Sequence, residues 1–255
     1  MKNIILFQII FFSIFFNACK YPITISGYSN TPEEVIINSV EKISEFETYI
    51  VENTETRYDA TQIFNGIYHT EFENASFEQD LSGHSKTPIS WKNCGDFHSS
   101  SVDIHGYRKK FFQVSQGAND GNNFVGMVTR TDGTYEALGQ NLENSLDAGY
   151  TYSFSLFACR SQQYISLSKS TMKTENFNKP AILQIYGGAD CGNSTLLIST
   201  AIIEHTNWAE YVLVFDAEEE IEFLLIEVNY DSAAEFSYDG NILIDNISPI
   251  YKISK

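Results

Sequence analysis

From about residue 62 to the end of the chain, apolar side chains recur at every second position in short runs, the period of half-buried β-strands. Tyr152, Phe154, Leu156 and Ala158 alternate with Ser153 and Ser155. Tyr211, Leu213 and Phe215 alternate with Val212 and Val214, and Ile221, Phe223 and Leu225 with Glu222 and Leu224; Ile242 and Ile244 close the series. Turn signals punctuate the runs at Asn119-Asp120-Gly121-Asn122, Thr131-Asp132-Gly133, Asp147-Ala148-Gly149, Tyr186-Gly187-Gly188 and Asp239-Gly240-Asn241. Roughly eight to ten strands fit, with no βαβ period and no internal repeat. Antiparallel strands in that number hide their edges in two packed sheets or a closed barrel. An all-β, antiparallel sandwich over residues 62–255 is the economical solution. The aromatic share, 14% of the chain, suits it, because rings pack well on a pleated surface.

The N-terminus has a different grammar. Lys2 precedes an apolar run from Ile4 to Phe16 that only Gln8 and Ser13 interrupt, long enough for a signal-peptide core and short for a bilayer span. It ends in Phe16-Asn17-Ala18-Cys19, which resembles the lipobox of bacterial lipoproteins, with departures at Phe16 and Asn17. That resemblance implies an exported chain, lipid-anchored through Cys19 to the outer membrane or cell surface of a bacterium. An ordinary secretory signal and a retained anchor are the alternatives. Residues 20–61 then read as a tether and a short segment. Within it Thr31-Pro32-Glu33-Glu34 is a helix-start signal, and Ile36, Val40, Ile43 and Ile50 follow at helical spacing. This predicts a helix over roughly 32–47. The β-rich Val35-Ile36-Ile37 and Thr48-Tyr49-Ile50-Val51 support the competing strand reading.

Charge and motif content narrow the function. With 33 acidic against 16 basic residues the net charge is −17, which repels nucleic acid and leaves calcium, cationic partners and neutral ligands. Of the cysteines after Cys19, one pair closes in an oxidising compartment. Cys159 with Cys191 is the favoured pairing, because both sit beside probable strands; three free thiols is the alternative. No C-x-x-C, H-E-x-x-H, G-x-S-x-G or phosphate-binding glycine loop occurs. The chain is therefore not expected to be an enzyme; a hydrolase with two carboxylates facing each other across a cleft is the alternative that counting leaves open. His98 and His105, which flank Asp103, read as exposed loop residues more readily than as a zinc site.

A family resemblance enters at Asn74-Ala75-Ser76-Phe77-Glu78, followed by Trp91. Further on, Phe124-Val125-Gly126-Met127 leads to Tyr135-Glu136-Ala137-Leu138-Gly139-Gln140-Asn141-Leu142, then Leu146, Ala148-Gly149 and Tyr152-Ser153-Phe154; the series ends on Ile244-Asp245-Asn246-Ile247. In order and spacing these motifs resemble galactose-binding-like jelly-roll domains of the carbohydrate-binding-module type.

The resemblance implies a non-catalytic module that binds a glycan or another cell-surface ligand. The alternative is a structural or adhesion component with a protein partner. It also implies a structural calcium held by Glu78 and Asp245, with Asp120 or Asp103 as a further acid; the turn at Asn119–Asn123 lacks the ladder of an EF-hand. Sugar recognition needs flat rings with polar side chains at their rim. Trp91, Tyr107 and Tyr135 are the ring candidates carried forward, with Tyr164, Tyr186 and Trp208 behind them. Glu136 and Gln140 are the polar candidates, as ligand contacts or as ties between strands. Trp208 reads as core, and the family uses the Trp91 position mostly for packing. Oligomeric state is not legible.

Overall fold

The computed structural model describes residues 36–40, 46–54, 57–96, 101–231 and 233–253. Among them sixteen strands and one short helix form. In chain order the strands are β1 (Ile36–Val40), β2 (Thr48–Asn53), β3 (Ile67–Thr70), β4 (Lys92–Asn93), β5 (Asp103–Gly106), β6 (Asn123–Thr129), β7 (Ala137–Leu146), β8 (Tyr150–Cys159), β9 (Ile165–Leu167) and β10 (Thr174–Asn176). They continue with β11 (Ile182–Asp190), β12 (Asn193–Ser199), β13 (Ala209–Ala217), β14 (Ile221–Asn229), β15 (Gly240–Asp245) and β16 (Ile250–Ile253).

Eight of these strands define the topology. The antiparallel pairs β6 with β15, β7 with β14, β8 with β13 and β11 with β12 are nested, outermost strands together and innermost strands together. The first and third pairs lie in one sheet, the second and fourth in the other. That wrapping is a jelly-roll, as the motif order implies. The larger sheet runs β1-β2-β13-β8-β15-β6-β5, with β16 bridging β3 to β8; the smaller runs β12-β11-β14-β7-β4.

Period-two patterning places the core between the sheets. Tyr152, Phe154, Leu156 and Ala158 of β8, with Leu213 and Phe215 of β13, meet Leu183 and Ile185 of β11 and Leu224 and Ile226 of β14. The opposite face of the larger sheet is covered too. Phe124, Val128, Cys159 and Leu243 point outward beneath Val114, Tyr164 and Phe177, and Trp208 joins them as core. Nearby Ile50, Val212 and Val214 are covered by Tyr58 and Ile63. Ile63 belongs to the helix Ala60–Phe64, which starts in a capping box: Asp59 Oδ1 accepts from the Gln62 N–H at 2.9 Å, and Gln62 Oε1 from the Asp59 N–H at 3.1 Å.

Three expectations need correcting. The helix over 32–47 does not form where it is described: Ile36–Val40 is strand β1, paired antiparallel with β2. Pairing with β2 at the end of the sheet outweighs the helix-start signal upstream, and β-branched residues suit a strand; residues 32–35 and 41–45 lie outside the described residues. The sheet also begins before residue 62, because β2 pairs with β13, and it does so in parallel. The tether and signal assignments for residues 1–35, Cys19 included, lie outside the described residues.

The third correction is the disulfide. Cys94 pairs with Cys191, Cα–Cα 5.4 Å, and Cys159 is a buried free thiol. Cys159 ends β8 on the outer face of the larger sheet, whereas Cys191 sits in the β11–β12 turn on the outer face of the smaller one. Packed sheets lie about 10 Å apart, beyond disulfide reach.

Candidate functional site

Most motif residues turn out to hold the fold together. Trp91 is 6% exposed; its ring stacks on Phe72 at 5.6 Å and its Nε1 donates to the Asn74 carbonyl at 3.2 Å. Glu136 is 1% exposed, pairs with Arg130 and accepts from the Val128 N–H at 3.1 Å. Gln140 points between the sheets. Its Oε1 accepts from the Glu73 N–H at 2.6 Å and its Nε2 donates to the carbonyls of Glu73 and Ser90 at 2.9 and 3.0 Å. Gln140 thus fastens the segment that opens the domain onto β7. All three are buried and bonded within the framework. For Glu136 and Gln140 the strand-tying reading holds.

The proposed calcium ligands also act on the backbone. Glu78 Oε1 accepts from the N–H groups of Asn122 and Asn123, both at 2.8 Å. Asp245 Oδ2 accepts from the N–H groups of Asn119 and Asp120 at 2.7 and 3.0 Å, and its Oδ1 from that of Asn246 at 2.8 Å. Asp120 accepts the Ser76 hydroxyl at 2.8 Å. Among the described residues no group of three or more His, Cys, Asp or Glu could hold a metal ion. The acids named for calcium serve here as acceptors that hold the 119–123 turn in place. Burial pushes the Asp245 carboxyl up to about 7, although its three N–H donors pull the other way. Asp103 accepts from Tyr164 at 2.5 Å and from the Ser85 N–H at 2.7 Å, in the interior. His105 is buried as well, stacked on Phe124 at 4.9 Å, and burial lowers its pKa to about 3. It is a neutral core residue and not an exposed loop histidine; His98 lies outside the described residues.

One surface gathers rings and polar groups that bond mainly to one another: the outer face of the smaller sheet, where Tyr135, Tyr186, Gln184 and Asn229 are half-buried and Glu227 is buried. Alternation puts Leu183, Ile185, Leu224 and Ile226 inward, so Gln184, Tyr186, Leu225, Glu227 and Asn229 face out, with Gln184 opposite Glu227 and Tyr186 opposite Leu225. Ala137, Phe223 and Leu225 make an apolar floor against which Tyr135, Tyr186 and the Cys94–Cys191 disulfide pack. Gly139 is required there, because a Cβ would enter the Phe223 ring and come within 2.9 Å of Cys94 Sγ. Lys92 Nζ stands 5.1 Å over the Phe223 ring.

Beside that floor runs a polar row. Tyr186 donates its hydroxyl to Gln184 Oε1 at 3.1 Å. Asn229 Nδ2 donates to Gln184 Oε1 and to Glu227 Oε1, each at 3.1 Å. Burial raises the Glu227 carboxyl to about 7 against the hydrogen bonds from Asn229 and Tyr186. Burial and the nearby Glu227 also push the Tyr186 phenol up to about 12, so that Tyr186 keeps its proton.

Tyr135 is therefore the one ring among the leading sequence candidates on this face, and Tyr186 joins it. Gln184, Glu227 and Asn229 were missed. Their signal was present: in the outward-facing register of β11 and β14, these polar residues interrupt otherwise apolar strands. Tyr107 lies elsewhere, 82% exposed beside a separate cleft on the larger sheet.

No family model and no curated protein matches the sequence. Solved structures do overlap the fold. A Stig cyclase from Fischerella sp. TAU, in complex with an indole ligand, superposes with a TM-score of 0.47 at 12% identity over 75% of this chain and 100% of its own. The CBM22-1 xylan-binding domain of Paenibacillus barcinonensis Xyn10C gives 0.39 at 14% identity over 69% and 94%. TmCBM61 in complex with β-1,4-galactotriose gives 0.34 at 15% identity over 73% and 99%. All fall below 0.5, so the functional reading rests on this chain's own side chains.

Proposed function

We propose that this chain is a non-catalytic carbohydrate-binding module, exported and held at a bacterial cell surface by a lipid on Cys19. The observation that carries the reading is the pairing of the half-buried Tyr135 and Tyr186 with half-buried Gln184 and Asn229, backed by the buried Glu227, on the outer face of the smaller sheet. Aromatic rings accept the C–H faces of a pyranose, and carboxylate and amide groups beside them exchange hydrogen bonds with its hydroxyls. Rigid strands hold these groups, so little ordering is needed on binding. The net charge of −17 favours a neutral glycan over a polyanionic one.

The test is binding to a printed array of neutral oligosaccharides. The reading expects reproducible signals that Tyr135→Ala and Tyr186→Ala each weaken at least tenfold. Wild-type signals unchanged in both variants would contradict it and favour a protein partner. For the anchor, labelled fatty acid enters the wild type and not Cys19→Ala; equal labelling of the two would contradict lipidation at Cys19.

A further inference from the structure

The cleft beside Tyr107 has about 580 Å3 of space and is lined by Glu78, Gln79, Asp80, Ser82, Arg108 and Asn122, among others. It belongs to the β5–β6 end of the larger sheet, apart from the face that carries Tyr135 and Tyr186. Its volume is in the range of small-ligand sites. Tyr107 projects from its rim, and the Tyr107 N–H donates to the Asn122 carbonyl at 2.9 Å, which fixes the rim to the floor.

The floor is held from both sides. Glu78 grips Asn122 and Asn123, Asp245 grips Asn119 and Asp120, and Asn123 Nδ2 donates to the Gln79 carbonyl at 3.1 Å. Gly121, at φ +58°, lets the loop close so tightly that a Cβ would lie 2.5 Å from Glu78 Oε1. Five backbone or amide N–H groups of this loop meet two carboxylates and a carbonyl. The lining carries both signs, Glu78 and Asp80 with Arg108, and Ser82 and Asn122 as neutral groups.

We propose that the Tyr107 cleft is a second binding site, for a neutral sugar residue, and that Glu78 and Asp245 hold it open without a metal ion. The ring offers one face to the sugar, and the mixed-sign lining supplies donors and acceptors for hydroxyls without selecting net charge. The proposal rests on the carbohydrate-binding reading for its ligand class, and on its own geometry for its place. Two sites on separate sheets let one molecule engage two points of a polymer, which multiplies apparent affinity with no new contact.

The experiment uses the full chain on the neutral-oligosaccharide array, once in calcium and once in EDTA. Four proteins are compared: wild type, Tyr107→Ala, the pair Tyr186→Ala with Glu227→Gln, and the triple variant. Tyr107 is largely exposed, so its loss leaves the fold intact. The expected result is a subset of signals that survives in the Tyr186/Glu227 variant, falls at least tenfold when Tyr107→Ala is added, and is equal in calcium and EDTA. Signals indifferent to Tyr107→Ala in either background would overturn the second site. Loss of the Tyr107-dependent subset in EDTA would overturn the metal-free clamp. Signals that all vanish with Tyr107→Ala and ignore the Tyr186/Glu227 pair would support the cleft and overturn the sheet-face reading. An array blank for wild type would overturn both.

Discussion

Cys94 and Cys191 stand 97 residues apart in the sequence and are covalently joined across the outer face of the smaller sheet. The bond ties the segment after β4 to the β11–β12 turn and packs on Phe223 and Leu225. Closing a loop of that length restricts the unfolded chain by about 4–5 kcal/mol in the chain-entropy model. Cys94→Ala is expected to cost about 2–5 kcal/mol in chemical denaturation. Cys159→Ala, which deletes one sulfur from the interior and no cross-link, is expected to cost less. Equal losses would mean that the disulfide contributes nothing beyond packing.

Glu136 and Arg130 form a buried ion pair behind the strands. Removing one charge leaves the other in a low-dielectric interior, a loss of about 3–5 kcal/mol. Glu136→Ala is therefore predicted to lower the melting temperature sharply, and the fraction that still folds is predicted to bind glycan normally. A variant of wild-type stability with lost binding would make Glu136 a ligand contact after all.

Glu227 gives the protein a pH signature. Its folded pKa, about 7, lies above the ordinary 4.5 of an exposed glutamate. Between those values the folded state holds a proton that the unfolded chain has released, so rising pH through that window weakens the fold, and the loss is complete above about 7. The size expected from such a shift is about 3 kcal/mol. Glu227→Gln should remove this part of the slope, gaining on the wild type at pH 8 and matching it near pH 4. Parallel stability curves for the two proteins across that range would contradict a raised Glu227 pKa.

Gly121 sits in the left-handed region, with the Glu78 carboxylate where a Cβ would go. Gly121→Ala meets both the backbone preference, about 1–2 kcal/mol, and the clash with Glu78. The variant is expected to melt several degrees lower. A melting temperature equal to wild type would show that the loop is not gripped as described.

How much of this was legible in the sequence follows from which forces act locally. The alternation in β8, β13 and β15 fixed which side chains face the core, because period two admits one assignment of faces once a sandwich is chosen. The jelly-roll wrapping came from the order of motifs. The edge strand at 36–40 was misread, because pairing with β2 is a long-range gain that helix-start residues do not report. The expected disulfide fails for a related reason: a place beside a probable strand does not say which face of which sheet a cysteine occupies. Glu136, Gln140 and Trp91 stood out because they serve the framework, and framework residues make the strongest motifs. The polar row of Gln184, Glu227 and Asn229 carries no motif, and its members are neighbours only through the pairing of β11 with β14.

The most direct measurement of the central claim is a titration of the chain, carrying isotope-labelled tyrosine, with the oligosaccharide that gives the strongest array signal. The account predicts that the ring resonances of Tyr135 and Tyr186 shift with saturation, while that of Tyr164, buried under the larger sheet, stays in place. Saturable binding that leaves both Tyr135 and Tyr186 unmoved would contradict it and remove the outer face of the smaller sheet as the site of recognition.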